Sequence, residues 1–135
     1  MIRPELKELV EQEGNVKEFV YRNYDCKIVR QNVDFSGHLC GYIKIPKGHE
    51  LYGMEYGEIE EKYNYEMPAH GGLTFSDYFE TNDYWIGFDC AHVGDLRPCY
   101  VEGFDFGTFE FETYKSMEYV ENCIKEIIDF MEGQN

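Results

Sequence analysis

An α+β fold is expected for this chain: a mainly antiparallel sheet packed against a long C-terminal helix and a short N-terminal helix. Three observations predict it. Thr113 to about Glu132 carries Met117, Val120, Ile124, Ile127 and Met131 at helical spacing, widened by Cys123 and Ile128. His38 to Ile45 alternates, with Leu39, Gly41, Ile43 and Ile45 on one side and His38, Cys40, Tyr42 and Lys44 on the other. Aromatic residues make up 17% of the chain, a composition suited to sheet faces that carry large rings. With 135 residues, 43% of them hydrophobic, one core and one domain over 1–135 are expected. The N-terminal helix falls at about 3–13, the sheet at about 19–111 and the C-terminal helix at about 113–132.

Pro4 suits a first helical position and Glu5 the helix dipole, while Gly14-Asn15 ends the helix that carries Leu6, Leu9 and Val10. Phe19-Val20-Tyr21 and Lys27-Ile28-Val29-Arg30 read as strands joined by a turn at Asn23-Tyr24-Asp25. Asp34 to Gly37 is a turn, and Pro46 stops the alternating strand that follows it. Lys47 to Met67 is a long excursion with at most one short helical turn. Gly72 to Phe75 enters a hairpin with a polar tip at Ser76 to Asp83. Tyr84 to Ala91 is a buried strand, with Tyr84, Ile86, Phe88 and Cys90 on one side and Trp85, Gly87, Asp89 and Ala91 on the other. Gly87 among large rings marks a close approach of backbone or ligand. Val93-Gly94-Asp95 turns the chain, and Cys99 to Phe104 is extended. Phe106, Phe109 and Phe111 fall in a stretch without clear periodicity. Thr113 or Ser116 caps the last helix and Gly133 ends it.

The formal net charge of −15 disfavours conventional contact with phosphate backbones or anionic lipid. It suits a basic partner surface, or serves solubility alone. The five cysteines, Cys26, Cys40, Cys90, Cys99 and Cys123, include no CxxC pair. No signal region opens the chain, and no apolar run approaches the roughly 18 residues of a membrane span. A cytoplasmic protein with reduced thiols is expected.

Chemistry concentrates between Met67 and Pro98. If the Trp85 strand runs on to His92, then Cys90 and His92 point together. Asp95 returns over the strand end through Gly94, and His70 arrives from the neighbouring segment with Gly71-Gly72 behind it. Three functional readings fit. A small polar ligand can hydrogen-bond His70, Asp89, His92 and Asp95, approach the Gly71-Gly72 backbone, and stack on Trp85 or Tyr84. Cys90 can act as a nucleophile activated by His70 or His92, with the Gly71-Gly72 amides stabilising an oxyanion. Alternatively His70, Cys90, His92 and Asp95 can hold zinc, although no HExxH or CxxC spacing is present. Structural roles account for the same residues: Cys90 in the core, His70 in a turn, Asp95 in an Asx turn, Trp85 in the core. His38 and His49 each flank a glycine and read as surface-loop residues.

The motif string Gly41-Tyr42, Pro46-x-Gly48-His49-x-Leu51-Tyr52-Gly53, His70-Gly71-Gly72-Leu73-Thr74 and Trp85-Ile86-Gly87-Phe88-Asp89-Cys90-Ala91-His92-x-Gly94-Asp95 resembles a family of small uncharacterised phage and prophage proteins. Tyr119-Val120 and Cys123 in the last helix extend the likeness; the residues before His38 lie outside it. The resemblance implies a phage-type accessory protein, in the host cytoplasm, that counters host defence. Its expected ligand is a small polar molecule such as a signalling nucleotide, bound without a cofactor. Arg97, Lys44 or backbone amides would then have to supply a local positive site. The alternatives are a small hydrolase using Cys90 and His70 or a metal, and an acidic inhibitor of a basic host protein that docks through Glu55 to Glu66. Oligomeric state is open in each.

Overall fold

A computed structural model describes residues 1–79, 82–103 and 108–134. The piece expected to be extended from Cys99 to Phe104 is not: Cys99 makes a single bridge to Ile2, and the chain turns at Glu102-Gly103; Phe104 and Phe106 lie outside the described residues. A 3-10 turn at Pro4–Leu6 leads into α1 (Lys7–Glu13). Strands β1 (Val16–Tyr21), β2 (Tyr24–Arg30) and β3 (Leu39–Ile45) follow, then α2 (Tyr56–Lys62), β4 (Phe75–Phe79), β5 (Asp83–Asp89) and α3 (Met117–Gly133). The strands form one antiparallel sheet in the order β1-β2-β3-β5-β4. The fold is α+β, with the long C-terminal helix on the sheet.

Alternation fixes which face the helix covers. Cys26 and Ile28 on β2, Leu39, Ile43 and Ile45 on β3, and Tyr84, Ile86 and Phe88 on β5 are all buried on one face. Val120, Ile124, Ile127 and Ile128 of α3 pack onto that face, fully enclosed. Each such side chain contributes about 1.5–3 kcal/mol by leaving water. Gly41 lets the layers close: a Cβ there would stand 2.7 Å from the Phe88 ring. Among the described residues, no helix lies over the opposite face of the sheet.

Several local expectations are corrected. Tyr24 and Asp25 belong to β2; the turn before them is Arg22-Asn23, both at positive φ, the backbone twist that suits a two-residue hairpin. The supposed polar tip begins later, because Ser76 to Phe79 pair with β5. The Lys47–Met67 excursion contains a two-turn helix, α2, rather than one short turn. It is also part of the core layer: Leu51, Ile59 and Tyr63 are buried, and the Tyr63 and Phe130 rings meet edge to face at 5.4 Å. Ser116 caps α3 by accepting the Tyr119 N–H at 3.2 Å. Gly133 is the last helical residue, with Gln134 as the C-cap, so it does not end the helix by a left-handed turn.

A buried ion pair ties the ends of the chain together. All five N–H donors of Arg30 are used, on Glu13, the Tyr114 hydroxyl and the carbonyls of Gly14 and Gly37. Glu13 in turn accepts the Tyr114 hydroxyl and the Met117 N–H at the start of α3. An acidic residue there also suits the helix dipole.

Candidate functional site

The segment after α2 and the turn after β5 meet. His70 Nε2 stands 2.9 and 2.8 Å from the two oxygens of Asp95. Asp95 also accepts the His92 N–H at 3.0 Å and lies 3.1 Å from Lys115 Nζ. Its carboxylate is almost sealed, with 1% side-chain exposure. Burial alone would raise its pKa. The hydrogen bonds from His70, the His92 N–H and Lys115 outweigh burial and hold it below the ordinary carboxylate value. With Asp95 ionised, His70 Nε2 carries the donated proton. In the neutral imidazole its Nδ1 is then the acceptor for the Tyr119 hydroxyl, 2.8 Å away. Lys115 is further held by the carbonyls of Gly94 and Thr113.

A second carboxylate–imidazole pair lies beside the first. The His70 and His92 rings meet edge to face at 5.8 Å. His92 Nε2 is 3.2 Å from Asp89 Oδ1, but without the alignment of a hydrogen bond, so the buried nitrogen is unsatisfied. Asp89 is occupied by the Thr74 hydroxyl and the Ala91 N–H. Gly71 makes this packing possible. Its φ is +69°, and a Cβ there would fall 2.4 Å from the His92 ring. Gly72, at φ +87°, turns the chain past Glu60, whose Oε1 is also buried without a partner.

His70, Gly71, Gly72, Asp89, His92 and Asp95 therefore assemble; Cys90 and Trp85 do not join them. β5 ends at Asp89, so Cys90 and His92 do not share a strand face. Cys90 follows the parity of Ile86 and Phe88 into the core and is 2% exposed. Burial first, and then the charge of Asp95, push its thiol far above the ordinary value. A nucleophile needs the opposite environment. The other four thiols are buried too and shifted the same way by desolvation, Cys40 and Cys123 up to about 11 and Cys26 up to about 12. The four expected zinc donors do not converge, and no three His, Cys, Asp or Glu side chains among the described residues are arranged to hold a metal ion.

Trp85 lies on the uncovered sheet face, in a groove with Tyr42 and Phe79. The space above Gly87 is filled by the Tyr42 ring, which a Cβ would meet at 2.7 Å, rather than kept for a ligand. His38 and His49 are not loose surface groups. His38 Nδ1 is 2.6 Å from the Ser36 hydroxyl, and burial lowers its pKa. His49 Nδ1 accepts the Leu51 N–H, and its other nitrogen bonds the Tyr24 hydroxyl, which donates to Glu132.

Beside His70 a recess of about 460 Å³ opens, walled by Pro68 and Ala69 on one side and by Tyr119, Asn122, Cys123 and Glu126 on the other. The helix supplies that wall through one exposed stripe. Tyr119, Asn122 and Glu126, at i, i+3 and i+7, border the apolar stripe and are visible in the sequence as a polar face. Cys123 forms the inner edge, its thiol donating to the Pro68 carbonyl at 3.4 Å. Tyr119, Asn122 and Lys115 are the functional candidates that sequence reasoning missed. Lys44, one of the cations invoked for an anionic ligand, is instead held between Asp25 and Asp83 on the uncovered face. No helix among the described residues is long and apolar enough to cross a membrane. Compared with protein-family models, curated proteins and solved structures, the chain matches none.

Proposed function

We propose that the recess beside His70 binds a small polar ligand that is uncharged or cationic. One observation carries this reading: the chain Asp95–His70–Tyr119 ends at a 41%-exposed side chain that lines an open recess, instead of closing on itself. Asp95 fixes the His70 tautomer, His70 fixes the Tyr119 hydroxyl, and the hydroxyl oxygen is left to accept from a ligand. Asn122 offers both a donor and an acceptor, and Glu126 accepts only.

Among the described residues the recess wall contains no Arg or Lys, and His70 is already engaged by Asp95. A nucleoside-like group suits it better than a phosphate, so a signalling nucleotide would have to leave its phosphates outside. Host-defence counteraction, the role implied by resemblance to phage proteins, then takes the form of sequestering such a molecule. A second reading draws on the same hydrogen-bond chain. A base oriented by a carboxylate can move a proton through a hydroxyl, so Tyr119 and His70 could serve hydrolysis without Cys90.

A thermal-shift series with nucleosides, their 5′-monophosphates and small polyamines tests the proposal. A ligand at about 100 times its Kd stabilises the native state by roughly 2.7 kcal/mol, a readable rise in Tm. The expected result is a rise with a nucleoside or polyamine, smaller with the monophosphate, and lost in Tyr119→Phe and Asn122→Ala. Shifts that survive both substitutions, or none with any probe, overturn it. Recovery of the bound compound intact after denaturation separates sequestration from hydrolysis.

A further inference from the structure

The face of the sheet away from α3 carries a second groove, of about 870 Å³, whose walls include Val20, Tyr42, Phe79 and Trp85. Val20 is 66% exposed and Phe79 45%. The Tyr42 ring stands edge-on to Phe75 and Phe79 at 5.3 and 6.4 Å, so the aromatic floor is already ordered. Glu18, Asp25 and Asp83 border it. Against these three carboxylates stand Lys27, 3.6 Å from Glu18, and Lys44, whose single ammonium is shared at 3.5 Å between Asp25 and Asp83. One negative charge is thus left over beside the indole, since Lys44 is the register partner of Trp85.

We infer that this face docks a basic, extended segment of a partner protein, with an arginine seated on Trp85 against Asp25 and Asp83. A planar guanidinium matches both features, stacking on the ring and pairing with the carboxylates. The adjoining β1 is an edge strand of six residues with no proline, and it leaves backbone donors and acceptors for an extended chain. The net charge of −15 favours a cationic occupant, disfavours a second copy of this chain and repels a nucleic-acid backbone, although aromatic sheet faces can stack bases. The groove shares no wall residue with the recess beside His70, so this inference stands or falls separately from the ligand proposal.

Trp85 is the only tryptophan, so its fluorescence reports on the groove directly. The full chain is titrated with a capped hexapeptide of alternating Arg and Leu, and with its Glu-for-Arg counterpart. The expected result is a saturable fluorescence change with the arginine peptide alone. Binding should weaken about tenfold or more in Asp25→Asn/Asp83→Asn. It should be unchanged in Glu58→Gln/Glu61→Gln, which removes the same charge from an exposed part of α2. Phe79→Ala, at an exposed site, should also weaken it and serves in place of the double variant if that does not fold. Absence of saturable binding overturns the inference. So does equal weakening by both charge pairs, which means attraction to net charge alone. A concentration-dependent dimer that Val20→Lys returns to monomer assigns the face to a second copy, and saturable binding of oligothymidine assigns it to nucleic acid; either result overturns it.

Discussion

Two buried charged groups, Arg30 and Asp95, are anchored in the same manner and end differently. Each has an opposite charge, a tyrosine hydroxyl within its network and backbone groups as further partners. The Arg30 network is closed. Its guanidinium is 0% exposed, Glu13 is 8% exposed, and the outermost tyrosine, Tyr114, folds back onto Glu13. The Asp95 network is open: its outermost tyrosine, Tyr119, faces a recess. A closed polar network holds parts together, whereas an open one keeps a prearranged hydrogen-bonding group available at the surface.

Arg30→Met should give the largest effect. It strands the Glu13 carboxylate in the interior and should cost about 3–5 kcal/mol, read as a drop in the urea midpoint. A loss under about 1 kcal/mol would show that the closed network is not what joins α1 to α3. Gly71→Ala comes next. It forces a side chain into positive φ and into the His92 ring, and should cost about 1–3 kcal/mol. His92→Ala should restore part of that loss if the collision is the cause, a coupling that a double-mutant cycle measures.

Asp95→Asn should cost about 1–3 kcal/mol, because Lys115 loses its counter-charge and one acceptor is replaced by donors. Its pH dependence sharpens the comparison. The native pKa of Asp95 is depressed, so its contribution is complete above the unfolded value near 3.8 and is lost as pH falls through the native value. The acid limb of the stability profile should therefore flatten in Asp95→Asn; an unchanged limb would mean that Asp95 is not held as the anion. Tyr119→Phe should be the mildest, within about 0.5 kcal/mol of wild type, since the ring is half in water. A large loss of stability there would place the open network in the structural class of the closed one.

The sheet and α3 were legible because periodicity reports burial, and Ile43, Ile86 and Ile124 are buried for that reason. α2 was harder to see because its seven residues, Tyr56–Lys62, bury one side chain, Ile59, too few for a periodic stripe. The meeting of His70 with Asp95 was legible from Gly71-Gly72 and Gly94, which mark where the chain can turn tightly. The parity that places Cys90 with Ile86 and Phe88 was also in the sequence, and it outweighs the attraction of grouping a thiol with nearby imidazoles. Tyr119 and Lys115 could not be reached in that way. Their partners lie 49 and 20 residues distant in the chain, and only tertiary packing brings them together.

Glu13 receives the Met117 N–H across 104 residues, and Tyr114 spans 101 to reach the same carboxylate. Few contacts in a chain of this size could be less local. Such pairings form late, because the cost of closing a long loop precedes any gain from the contact. A nascent chain shorter than about residue 117 cannot complete the Arg30 knot and leaves the apolar face of β2 and β3 without its cover. Until then it presents a sticky surface to other chains, so yield on synthesis should depend on how quickly the last helix follows the sheet out of the ribosome.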